Sequence, residues 1–324
     1  MTGASRVLLF SDPAMEDHRS PGHPERPERL AAVVAGVADG AMAMGAALER
    51  PAVEPADPLA LERVHSARYV AALDEAASQG GGWIDADTYL GPESMVAARL
   101  AAGATIGAAV AVARGEAEVA FAVVRPPGHH ARPEFPAGFC LLNNVALAVM
   151  ELRASGLAER IAIVDWDVHH GDGTQAIFDA DPDLCYASTH QMPLYPGTGA
   201  SDERGTGPGT GSKHNLPLAP GSGDAAFTHA WLTELLPAVE AFRPEAILVS
   251  AGYDAHRLDP LAELEVTAEG YRVVGEALGQ VAAGLGLSGV ALTLEGGYDL
   301  GALRESAAAT VSGILAGLSG SGAS

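Results

Sequence analysis

Asp165, Asp167 and His169 follow the apolar run Ile161–Val164 at intervals of two residues, inside Asp-Trp-Asp-Val-His-His-Gly-Asp-Gly at 165–173. In extended backbone, residues two apart project from one face. Two carboxylates and an imidazole would then leave one strand end together. These are ligand types that a catalytic Zn²⁺ takes while keeping a position open for water. The competing role is a polar strand end with capping carboxylates. Asp254 follows another apolar run, Ile247–Val249, and is the third ligand this chemistry would choose; its alternative role is a helix cap.

His129 and His130 lie beyond a third run, Val119–Val124. Beside a metal, a neutral imidazole can take a proton from water and return it to a leaving amine. Each ring then needs an acceptor to fix its tautomer, and Asp165 and Asp172 are the carboxylates on hand. Away from a metal the pair reads as two core or surface histidines. Tyr298 follows a fourth run, Val290–Leu294, and sits behind Gly296 and Gly297. The glycines would let the backbone turn sharply and aim the phenol at a pocket; otherwise Tyr298 is a half-buried core residue. In open parallel sheets ligands bind beyond the carboxyl ends of the strands, and four strands here would deliver reactive groups to that one edge.

The elements that must position these residues are legible as an alternation. Strands are expected at 6–10, 119–124, 160–164, 184–188, 246–250 and 289–294. Helices are expected at 27–37, 57–65, 67–77, 92–115, 143–154, 173–179, 225–241, 267–284 and 300–316. That order predicts an α/β fold with a parallel sheet covered by helices on both faces. Residues 78–91, 125–140 and 191–224 are expected to be loops, and long loops in a compact domain usually carry function. No linker or internal repeat divides the chain. A single domain over 1–318 is expected, with 319–324 a disordered Ser/Gly tail.

Composition narrows the partners. A net charge of −22 repels phosphate backbones, so no direct nucleic-acid binding is expected. Only 5% of residues are aromatic, so the core must be built from Ala, Val and Leu. Two cysteines, Cys140 and Cys185, are too few for a disulfide framework and suit a reducing, cytoplasmic location. The N-terminus has no signal-peptide pattern, and residues 92–115, although apolar, carry Glu93, Arg99 and Arg114 and read as a buried helix rather than a membrane span. A homo-oligomer stays open. Gly205–Lys213 is glycine-rich but lacks the Gly-Lys-Ser/Thr of a P-loop.

Several motifs, in order along nearly the whole chain, resemble the histone deacetylase family, which includes acetylpolyamine amidohydrolases and bacterial deacetylase-like amidohydrolases. They are His-Pro-Glu-Arg-Pro-Glu-Arg-Leu at 23–30, Arg-Pro-Pro-Gly-His-His at 125–130, Gly-Phe-Cys-Leu-Leu-Asn-Asn at 138–144 and Asp-Trp-Asp-Val-His-His-Gly-Asp-Gly-Thr at 165–174. Tyr-Pro-Gly-Thr-Gly at 195–199, Gly-Tyr-Asp at 252–254 and Glu-Gly-Gly-Tyr at 295–298 complete the set, the last being closer to the class II branch. The resemblance implies an arginase-like, three-layer fold around a mostly parallel sheet of about eight strands. It implies one Zn²⁺ held by Asp167, His169 and Asp254. His130, paired with Asp172, would be general base and acid; His129, paired with Asp165, its electrostatic partner; Tyr298 the donor to the scissile carbonyl. It also implies structural K⁺ or Na⁺, one ion on Asp165, Asp167, His169 and Ser188 and a second on backbone of Phe178, Asp181 and Leu184. Pocket walls would include Pro127, Gly138, Phe139, Tyr195, Leu261, Gly296 and Gly297, although a core role for Phe139 stays open. Cys140 reads as a small buried residue rather than a nucleophile.

Two aromatic faces along a narrow channel suit a linear alkyl chain, such as the stem of an acetyl-lysine or an acetylated polyamine. In the polyamine-selective class II member a glutamate gatekeeper is expected near position 261, where this chain carries Leu261. That favours an acetyl-lysine or general acyl-amide hydrolase, with acetylpolyamine hydrolysis the runner-up. A binuclear hydrolase like arginase would need a second ligand set, which the sequence does not offer. A non-catalytic binder of acylated ligands would be marked by lost ligands, whereas here all are present.

Overall fold

The computed structural model describes residues 5–320. Its strands are β1 (Arg6–Phe10), β2 (Ala47–Glu49), β3 (Gly82–Trp83), β4 (Tyr89–Leu90), β5 (Val119–Ala122), β6 (Ile161–Asp165), β7 (Leu184–Gln191), β8 (Lys213–Leu218), β9 (Ala246–Ala251) and β10 (Val290–Leu294). The helices are α1 (Glu28–Ala43), α2 (Pro58–Leu61), α3 (Ala67–Ser78), α4 (Ser94–Ala113), α5 (Asn144–Ala154), α6 (Asp172–Phe178), α7 (Asp224–Ala230), α8 (Leu236–Phe242), α9 (Ala268–Gly284) and α10 (Leu300–Gly320). Eight strands form one sheet in the order β2-β1-β5-β10-β9-β6-β7-β8, and every pairing in it is parallel. The expected α/β class and strand number are those observed.

The order explains why the reactive segments converge. β5, β10, β9 and β6 are neighbours in the middle of the sheet, so the four loops beyond their carboxyl ends meet without help from the edges. These strands are buried on both faces, as expected for apolar runs in a covered parallel sheet. Helix α4 packs on β1, β5 and β10 and against α5, while α1, α9 and α10 form a second packed group. By length and composition α4 could cross a membrane, but 67% of its apolar window is buried inside the protein. Helix starts follow local chemistry: Asn143 Oδ1 accepts from Ala146 N–H at 3.0 Å to open α5, and Ser66 Oγ accepts from Tyr69 N–H at 3.2 Å to open α3.

Four expectations need correction. The stretch 191–224 is not loop throughout, because Lys213–Leu218 forms edge strand β8. Its Lys-His-Asn start and its Pro217 hide the apolar alternation, and a proline is tolerated on an edge. The loop 78–91 contains the short antiparallel pair β3–β4. The helix expected over 225–241 is broken by a π turn at Trp231–Leu235. Finally, Ser319 and Gly320 close α10 instead of opening a tail; residues 321–324 of the expected tail lie outside the described residues.

One buried ion cluster ties the N-terminal segment to the site. Glu25, 1% exposed, accepts from Arg125 Nε at 2.5 Å and Nη2 at 2.6 Å and from Arg29 Nη1 at 2.8 Å. Arg29 also donates from Nε to Gly297 O at 2.6 Å and from Nη2 to Glu295 O, gripping the backbone on either side of Gly296. Burial alone would raise the Glu25 pKa, but Arg125 and Arg29 outweigh it and bring it from 4.5 down to about 2. Because the folded pKa is the lower one, this carboxylate contributes stability above pH 4.5 and loses it as pH falls from there toward 2. Glu25→Gln strands two buried guanidinium groups and is expected to cost about 3–5 kcal/mol at pH 7. The loss should shrink as pH falls below 4; chemical denaturation at both pH values checks this, and an equal loss at each would contradict it.

Candidate active site

The metal-ligand candidates are assembled from two adjacent strand ends. Asp165 is the last residue of β6, and Asp167 and His169 lie in the turn that leads to α6; Asp254 lies just beyond β9. One ligand atom from each of Asp167, His169 and Asp254 lies within 4.8 Å of the others. His169 Nδ1 is 3.0 Å from Asp167 Oδ1 and 3.2 Å from Asp254 Oδ2. Tetrahedral ligands at Zn distances stand about 3.3 Å apart, so these spacings suit one small divalent ion. Each carboxylate anchors its other oxygen: Gly296 N–H donates to Asp167 Oδ2 at 2.7 Å, and Val168 N–H donates to Asp254 Oδ1 at 2.9 Å. Asp254 Oδ2 is buried with no well-formed hydrogen bond, His169 Nδ1 lying 3.2 Å away, a costly state that a cation would relieve.

The electrostatics agree. Burial, then the charge of Asp167, pushes the Asp254 carboxyl up. Burial, then Asp254, lifts Asp259 to about 7. Burial opposes charge on His169, yet Asp167 and Asp254 raise it to about 10. Crowded acids of this kind hold either a proton or a cation at His169 Nδ1.

The two histidines of the 125–130 loop sit beside this cluster, with ring centroids 4.0 Å apart. His130 Nδ1 lies 2.8 Å from Asp172 Oδ1, and Arg132 Nη2 donates to Asp172 Oδ2 at 2.8 Å. Burial would raise Asp172, but His130 and Arg132 hold it down at about 2. His129 Nδ1 lies 3.2 Å from Asp165 Oδ2, which also accepts from Tyr186 OH at 2.9 Å. Burial lowers His130 to about 3, helped by the charge of His129. His129 moves the other way, because Asp167 and Asp165 overcome its burial. The rings are thus driven apart, leaving His130 the neutral one, as a proton acceptor must be.

Tyr298 is placed by backbone. Gly297 has φ +112°, where L side chains are strained. A Cβ on Gly296 would stand 2.0 Å from Asp254 Oδ2, so only glycine lets this turn approach the ligands. Asp259 Oδ2 accepts from Tyr298 N–H at 2.7 Å, and its Oδ1 accepts from Leu261 N–H at 3.0 Å. Burial, then the charge of Asp254, pushes the phenol well above its usual pKa, which keeps it a donor.

All of this opens into a cavity of about 250 Å³. Its wall brings together Pro127, Gly138, Phe139, Tyr195, Leu261 and Gly296 with His129, His130, Asp167, His169 and Tyr298. Gly297 is buried and is not among the lining residues. Phe139 belongs to the channel rather than the core: it is only partly buried and meets the Tyr298 ring edge-on at 5.9 Å. Gly138 is at φ +51°, and a Cβ there would lie 2.3 Å from His130 Cδ2. Cys140 is buried, its thiol pushed up by burial and turned to Gly138 O at 3.2 Å, as suits a packing residue.

Sequence reading missed several contributors. Asp87 and Leu194 line the cavity; a Gly/Asp loop signals exposure but not direction. Glu295, the first residue of Glu-Gly-Gly-Tyr, is another. Its Oε2 accepts from Gly128 N–H at 2.7 Å and His129 N–H at 3.1 Å, which pins the histidine loop to β10.

Of the expected monovalent sites, Asp165 and Ser188 are register partners on β6 and β7, both fully buried. The oxygens of the second set are engaged within the protein. Asp181 O and Leu184 O accept from Lys213 Nζ at 3.1 and 3.0 Å, and Phe178 O accepts from Asp181 N–H at 3.0 Å. Two of the three carbonyls expected to hold a second ion therefore face the Lys213 ammonium.

Residues 23–314 match the model of the histone deacetylase domain. The chain belongs to the histone deacetylase family. A probable deacetylase of Archaeoglobus fulgidus is 43% identical over 319 residues, covering 97% of this chain and 86% of that protein. The solved HD domain of HDA15 superposes with a TM-score of 0.88 at 38% identity, over 95% of this chain and 87% of that one. An acetylpolyamine aminohydrolase from Burkholderia pseudomallei gives 0.84 at 32% identity, over 96% and 99%. The arginase-like deacetylase fold and the deacetylase-type amidohydrolase class follow from this membership.

Proposed function

We propose that the protein is a Zn²⁺-dependent amidohydrolase that releases acetate, or a related acyl group, from N-acetyl-lysine or similar acylated amines. The observation that carries this reading is the Asp167–His169–Asp254 cluster, which meets the His130–Asp172 pair and Tyr298 in one cavity. A Zn²⁺ on those three ligands would polarise the amide carbonyl and acidify a water. His130, its Nδ1 committed to Asp172, takes the proton of the attacking water at Nε2. It then returns that proton to the departing amine nitrogen. Tyr298 donates its phenol hydrogen to the carbonyl oxygen as negative charge develops there. His129, held by Asp165, keeps a positive partner beside His130. A K⁺ or Na⁺ on Asp165, Asp167, His169 and Ser188 would offset the buried acid beneath the site.

The channel supports a linear, largely apolar stem. Phe139 and Tyr195 line it, and Leu261 adds no charge to a wall whose carboxylates are Asp87 and the ligand candidate Asp167. Kinetics on an acetyl-lysine peptide and an acetylated polyamine, compared side by side, tests the substrate. The expected result is a kcat/KM at least about tenfold higher for the peptide, a difference of about 1.4 kcal/mol in transition-state binding. The reverse order would reassign the enzyme to acetylated polyamines.

A further inference from the structure

Lys213, the first residue of β8, is among the largest side chains that the fold buries completely. A buried ammonium needs all three of its hydrogens accepted. Here Nζ donates to Leu184 O at 3.0 Å, Asp181 O at 3.1 Å and Ser212 Oγ at 2.6 Å. Ser212 in turn donates to Gly209 O at 2.7 Å. Burial lowers the Lys213 pKa to about 8, with Asp181 and Asp179 opposing, so the group is charged at pH 7. Two backbone carbonyls and a hydroxyl converging on one positive centre make an oxygen cradle of the kind that hard cations take.

The cradle is also a joint. It gathers the turn after α6 (Asp181), the start of β7 (Leu184) and the start of edge strand β8 (Ser212 and Lys213). β7 carries Ser188 and also Tyr186, whose hydroxyl holds Asp165.

We propose that Lys213 is a tethered monovalent cation: its ammonium replaces the K⁺ or Na⁺ that the Asp181 and Leu184 carbonyls would otherwise bind, so this joint is closed without a free ion. The chain then takes one monovalent ion fewer than its family resemblance implies. This inference does not depend on the catalytic reading, and the two fail separately.

The test uses Tl⁺ as the probe. Crystals of the wild-type protein and of Lys213→Ala are soaked in Tl⁺ and read by anomalous scattering. The expected result is no Tl⁺ peak on Asp181 O and Leu184 O in the wild type and one new peak there in Lys213→Ala. In parallel, replacing choline chloride by KCl should raise the Tm of Lys213→Ala by about 2–4 °C more than that of the wild type. A Tl⁺ peak on those carbonyls in the wild type, with Lys213 turned away, would overturn the proposal even if the variant failed to fold. So would a folded Lys213→Ala with neither a peak nor an added response to K⁺, which would reduce Lys213 to an ordinary hydrogen-bond donor.

Discussion

His130→Ala is expected to lower kcat by about 10²–10⁴, the range for loss of a positioned acid–base group. The ring lines the cavity beside His169, 5.9 Å between centroids. Its Nδ1 is taken by Asp172, which leaves Nε2 for proton exchange. Both proton transfers, from water and to the amine, pass through that nitrogen, so the loss should fall on kcat with little change in KM. Asp172 is itself held by Arg132. Asp172→Asn should therefore give a smaller loss, because the ring remains but its tautomer is no longer fixed. Steady-state kinetics on protein shown to bind the divalent ion normally checks both. A His130→Ala enzyme with unchanged kcat would move the acid–base role elsewhere.

Tyr298→Phe is expected to cost about 10²–10³ in kcat, or about 2.7–4 kcal/mol, the effect of removing one oxyanion donor. The substitution deletes only the hydroxyl. The backbone hold from Asp259 and the stacking of Arg29, 5.1 Å from the ring centroid, are untouched. Binding of a hydroxamate inhibitor should therefore survive within about tenfold, since one lost hydrogen bond is worth about 0.5–1.5 kcal/mol. An enzyme that keeps its kcat without the hydroxyl would remove Tyr298 from the reaction.

The fold and the site differed in how much of them could be read from the chain. Interior strands such as Ile161–Asp165 and Val290–Leu294 are buried on both faces, so their apolar runs announce them. Edge strand β8 carries Lys213, His214 and Pro217, and nothing local marks it as a strand. Residues that act through side chains at strand ends, such as Asp167 and His169, stand out by type and spacing. Residues that act through backbone contacts across the fold do not. Glu295 holds the loop of His129 from a distance of 166 residues, and Asp259 holds Tyr298 from 39 residues away. Lys213 shows the limit most clearly. Its type and place in a glycine-rich stretch suggest an exposed loop cation, and only the packing reveals three acceptors around it.

Metal content measured together with turnover tests the central claim most directly. Protein loaded with Zn²⁺ and freed of excess ion should hold about one Zn²⁺ per chain. It should lose amide hydrolysis when a chelator removes that ion and regain it on return of one equivalent, while Asp254→Ala should neither bind nor turn over. Hydrolysis that persists in fully stripped protein, or in Asp254→Ala, would contradict the account.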